Sequence, residues 1–203
     1  MADGKRLAVL AIGFTLGVAL MGFEMVASRY LYPYYGSGIE VWASLISTVL
    51  LALMAGYFFG GQLADKYPRS EVLGFAVLIA AALLGVTPMI AQSLLEFMLD
   101  KAGDGVGSML ISCVLLLFVP LTLLSFFSPF AVRLVLRDAR HAGAVSGAIY
   151  SINTIGNVVG TLGVSLALIP VMGSRNITYL FAGVIALCGI ALIALKARGY
   201  DEA

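Results

Sequence analysis

Residues 106–130 read VGSMLISCVLLLFVPLTLLSFFSPF, and none of them is charged. As a helix rising about 1.5 Å per residue, this run is long enough to cross the roughly 30 Å hydrocarbon core of a bilayer. It is apolar continuously, not at alternate positions, which excludes a barrel strand. Five similar runs occupy residues 7–31, 41–64, 72–91, 143–170 and 177–195. The expectation is an all-α integral membrane protein with six transmembrane helices. No Pro-, Gly- or Ser-rich linker divides the chain, so residues 1–203 read as one domain. Composition agrees: 61% of residues are hydrophobic and 11% charged, against about 45–50% and about 25% in soluble domains. A soluble enzyme is thereby excluded. A net charge of +1 with no basic run excludes a nucleic-acid binder. Cys113 and Cys188 lie inside apolar runs, so neither a disulfide framework nor a cysteine metal site is expected.

Lys5 and Arg6 precede the first run, as in a signal peptide, but the run exceeds an h-region and lacks an early A-x-A-like cleavage site. It is expected to be retained. One set of loops and ends carries Lys5, Arg6, Lys66, Arg69, Arg133, Arg137, Arg140, Lys196 and Arg198. The other carries Arg29, Lys101 and Arg175. Nine against three places both termini in the cytoplasm, with a bacterial inner membrane as the expected location. Trp42 with Tyr30, Tyr32, Tyr34 and Tyr35 marks the outer headgroup level. The longest connection, residues 93–105, reads either as a short interfacial helix or as an ordinary loop.

Lipid supplies no hydrophobic drive between helices, so close packing and hydrogen bonds must join them. Small-xxx-small spacing recurs at Gly13/Gly17, Gly56/Gly60, Gly143/Gly147 and Gly156/Gly160. Pro120 removes a backbone donor in mid-helix, so a kink is expected there.

Polar residues inside a span are costly and are functional candidates by default. Glu24 is the one acidic residue well inside a span, in the outer third of the first helix. Arg29 follows five residues later, a step of roughly 140° that makes a poor intrahelical pair. Glu24 therefore meets a polar group on another helix or is carried protonated. Asn153 and Asn157 share a face of the fifth helix with Gly156, Gly160 and Gly163. That face serves either a transport site or a helix–helix hydrogen bond.

Residues 61–69, GQLADKYPR, resemble the G-x-x-x-D-R/K signature of the major facilitator superfamily, which lies in the same loop between two helices. Gly61 would allow close helix contact, and Asp65, Lys66 and Arg69 would form a charged cytoplasmic latch. Two wider blocks extend the resemblance. One comprises GFEMVASR (22–29), YYGSGIEVW (34–42) and GYFFGGQLAD (56–65). The other comprises GAVSGAIYSINTIGNVVGT (143–161) and IPVMGSR (169–175). Together they resemble the membrane domain of the fused MFS/spermidine synthase proteins, across nearly the whole chain. The resemblance implies a facilitator-like half built as a 3+3 inverted repeat. The sequence ends eight residues after the sixth run, so the aminopropyltransferase-like domain of the fused form is expected to be absent.

No enzyme activity, cofactor or metal is expected. His141, the single histidine, lies in a basic loop, and no H-E-x-x-H motif is present. Asp138-Ala139-Arg140 hints at a phosphatidyltransferase signature but lacks its downstream aspartates. The first expectation is a half-transporter, working as a dimer, for a small polar or cationic solute, with polyamine-related cargo as one option. Glu24, Arg29, Asn153 and Asn157 form its candidate site. The second is a non-transporting subunit that anchors a soluble aminopropyltransferase-like enzyme or braces another membrane protein. Its partners beyond the lipid bilayer would then be proteins, with no nucleic acid.

Overall fold

The computed structural model describes residues 3–136 and 138–199. Arg137, counted above among the inner-side charges, lies outside them. The described residues form α1 (Asp3–Tyr35), α2 (Ile39–Lys66), α3 (Ser70–Ala102), α4 (Val106–Cys113), α5 (Val119–Ser125), α6 (Phe127–Val135), α7 (Ala142–Gly163) and α8 (Ser174–Leu195). A π-helical turn at Val114–Phe118 joins α4 to α5, so α4 to α6 make one span. Another at Val164–Leu168 prolongs α7. Six of the resulting helical spans are long and apolar enough to cross a membrane, the architecture of an integral membrane protein.

The third run differs from expectation. The segment read as an interfacial helix or a loop is neither, because α3 runs on unbroken to Ala102. Nothing between Gln92 and Ala102 breaks a helix, and Gln92 Nε2 donates to Glu96 Oε1 at 3.0 Å along its surface. Leu95 and Met98 are buried, which gives this polar-looking turn an apolar anchor. The helix stops where Gly103 adopts a left-handed φ of 73° and its N–H bonds Leu99 O.

Pro120, where a kink is expected, lies in the first turn of α5, directly after the π turn at Val114–Phe118. A wider turn absorbs the missing donor without exposing backbone to lipid.

Packing follows a regular pattern. α1 lies along α7 and α8, α3 lies along α8, and the α4–α6 span lies against α2 and α3. α2 and α7 hardly meet: the rings of Tyr57 and Tyr150 stand edge to face at a centroid distance of 6.5 Å.

A backbone clasp closes the end of the bundle where α2 stops and α3 starts. Lys196 turns the chain after α8 with φ 44°. Ser70 N donates to Ala197 O at 2.9 Å, and Gly199 N donates to Pro68 O at 2.7 Å. Ala197 N in turn donates to Ser70 Oγ at 2.8 Å, and both residues are buried. Ser70→Ala leaves that N–H buried without an acceptor. Its expected cost is about 1–3 kcal/mol, read as a lower unfolding midpoint in detergent. A midpoint equal to the wild type's would show that water replaces the hydroxyl.

Candidate functional site

Glu24 is 6% exposed, deep on α1. Among the described residues its carboxyl makes neither a side-chain hydrogen bond nor an ion pair. Arg29 is exposed and does not meet it. Arg29 instead lines a cleft of about 320 Å³ with Ser28, Tyr32, Trp42 and Ser165, formed by α1, the start of α2 and the π turn after α7. Glu24 is not among its lining residues.

The two asparagines, on α7, meet α1 at a different level. Asn153 Nδ2 donates to Gly13 O at 3.4 Å. Asn157 Oδ1 is buried with no hydrogen-bond partner and would stand 3.1 Å from a Cβ built on Gly17. Gly17 precedes Glu24 by seven residues, about 10 Å along the helix. Glu24 and Arg29 of α1 and the asparagines of α7 thus fall at three levels along α1, and the fold does not gather them into one constellation.

Glycines explain why α7 comes so close to α1. A Cβ at Gly156 would run into the carbonyl oxygen of Phe14, and one at Gly160 into that of Val18. Gly56 and Gly60 do the same for α2 against Thr122 O, Ser125 and Phe126. Gly143 and Gly147 have the same spacing, yet nothing lies within 4 Å of a Cβ built on either.

The loop motif is divided. Asp65 Oδ1 lies 3.8 Å from Arg133 Nε on α6, not beside Lys66 or Arg69. The Lys66 ammonium sits 5.4 Å from the centroid of the Tyr67 ring. Arg69 is paired through its backbone with Arg198. Close helix contact is made by Gly60, whose Cβ would lie 2.8 Å from Phe126 Cα. Gly61 is in ordinary contact with Pro129 at 3.9 Å. A second cleft, of about 350 Å³, opens here between α2, α6 and α7, lined by Asp65, Arg133, Ser146 and Tyr150.

Sequence reasoning missed Arg133 as the partner of Asp65, because nothing local links positions so far apart. It also missed the partners of Tyr35, which is buried at the end of α1 with its hydroxyl 2.8 Å from Ser108 Oγ and 3.1 Å from Ser112 Oγ on α4. The serine pair at i and i+4 was the available signal.

The fifth span stands apart from the rest. Its most apolar stretch has a mean hydropathy of 1.3, against 1.8 to 2.6 for the other five. Only 17% of that stretch is buried, against 39 to 61% elsewhere. Gly147, Tyr150, Ser151 and Thr154 form an exposed stripe at helical spacing. Comparison with family models, curated proteins and solved structures finds no match to this chain.

Proposed function

We propose that this chain is one half of a facilitator-like transporter for a small polar solute, completed by a second copy. The observation that carries the reading is the fifth span, which is at once the least apolar and the least buried. Hydroxyl-rich helix surface is unfavourable against lipid tails and belongs against protein or a water-filled path. The stripe at Gly147, Tyr150, Ser151 and Thr154 is exposed in the single chain, with the Tyr150 ring against Tyr57 of α2. Two copies facing each other across these stripes would supply twelve helices around one path.

Packing supports the three-plus-three organisation. Exchanging spans one and four, two and five, and three and six carries the main contacts onto one another. Span one on five and six becomes span four on two and three, while three on six maps onto itself. Such exchange is what an inverted repeat entails. The excess of lysine and arginine at the Lys66 end supports cytoplasmic termini in an inner membrane. Glu24 supplies the counter-charge for a cationic solute or a coupled proton. Arg29 is the one charged residue lining the outer cleft and the candidate contact there for the polar groups of the solute.

The test is the mass of the gently solubilised native complex with every component identified. A homodimer is the expected result. A stable complex with a different protein would replace this reading with that of an accessory subunit, and the polar stripe would then be its contact surface.

A further inference from the structure

At the clasped end of the bundle, Lys66, Tyr67, Pro68, Arg69 and Arg198 line a cleft of about 180 Å³. Its construction is unusual in one respect. Arg69 and Arg198 are directly opposed across an antiparallel bridge. Opposed residues of such a bridge project to the same side, and like charges in that arrangement repel. The backbone holds them there regardless: Ser70 N and Gly199 N donate to Ala197 O and Pro68 O on either side of the pair. Lys66, placed over the Tyr67 ring, brings a third cation to the same cleft. Among the described residues no carboxylate stands within ion-pair distance of any of the three. Asp65 is turned to Arg133, and Glu71, on the first turn of α3, does not line the cleft.

We infer that this cleft binds the phosphate group of an anionic phospholipid, held between Arg69 and Arg198 with Lys66 at its edge. Guanidinium groups fork onto phosphate oxygens, and two opposed guanidiniums present donors to both sides of one phosphate. Position selects the lipid source. α2 ends at Lys66, α3 begins at Ser70 and α8 ends at Leu195, so the cleft lies where the spans leave the hydrocarbon, at headgroup depth. Tyr67, 45% exposed beside it, is an aromatic ring suited to that level. The inference is independent of whether the protein transports anything.

The experiment measures retention of phosphatidylglycerol, phosphatidylcholine and soluble glycerol phosphate by the purified full chain in neutral detergent, using native mass spectrometry. Wild-type protein should retain phosphatidylglycerol in preference to phosphatidylcholine. In Arg69→Gln/Arg198→Gln, phosphatidylglycerol binding should weaken roughly 30-fold, since each basic group near such a headgroup contributes about a factor of five. The double variant keeps its fold, because both side chains are exposed and the clasp is made by backbone atoms and Ser70. Equal retention by variant and wild type would overturn the proposal. So would an equal loss in Lys101→Gln/Arg140→Gln, which removes two cations elsewhere. Full displacement of the lipid by equimolar glycerol phosphate would assign the cleft to a free phosphate compound and overturn the lipid source.

Discussion

Gly160→Val is expected to destabilise the protein by about 3 kcal/mol or more, while Gly147→Ala on the same helix leaves stability unchanged or slightly raised. At 160 the added Cβ would meet Val18 O and stand 2.9 Å from both Val18 C and Cα. Those atoms belong to the backbone of α1, so no side-chain rotamer relieves the clash and the two helices must separate. Separation would also break the Asn153 bond to Gly13 O and lose the contact at Gly156. At 147 nothing lies within 4 Å of the added methyl, and alanine is the better helix former by about 1 kcal/mol. Unfolding of both variants in detergent, beside wild type, measures the difference. Equal tolerance would mean that α1 and α7 are not in backbone contact. The same position probes the proposed dimer. Gly147→Trp should leave the protomer folded but lower the complex from two copies to one, since it lies on the exposed polar stripe. A dimer that survives this bulk would place the second copy elsewhere.

Glu24→Gln is expected to abolish solute movement while leaving the protein folded and no less stable, since a buried unpaired carboxyl is replaced by a neutral group of the same shape. Glutamine preserves shape, and the carboxyl gives up no hydrogen bond or ion pair among the described residues. What it removes is the capacity to carry a negative charge or a proton, which a coupled or cation-binding site requires. The measurement is uptake of a mixed solute pool by proteoliposomes, read by mass spectrometry for wild type and variant. Wild-type uptake by a folded Glu24→Gln protein would remove Glu24 from the path and leave the Arg29 cleft as the candidate.

The number of spans was legible because crossing a bilayer depends on the composition of about 20 consecutive residues, a local property. Residues 93–102 were misread for the same reason. Their mean polarity suggests a loop or a surface helix, but Leu95 and Met98 are buried and hold α3 straight through to Ala102. The candidate site was legible as a list of residues and not as a place. Glu24, Arg29 and Asn157 all stood out as polar groups in apolar surroundings, yet the fold puts Glu24 and Arg29 apart on α1 and Asn157 on α7 against Gly17. Arg133, the partner of Asp65, carried no local signal at all.

Sequence alone thus determined that the chain is a six-span membrane protein and which of its residues are costly to place in lipid. The tertiary structure decided which faces meet. Gly156/Gly160 and Gly143/Gly147 have identical spacing on one helix, but one pair touches α1 backbone and the other faces open space. The reason is physical. Transfer from water to hydrocarbon is a sum over single residues and can be read one window at a time. Helix association inside lipid has no such bulk term. It rests on small differences in close packing between surfaces far apart in the chain, and those exist only once the helices are assembled.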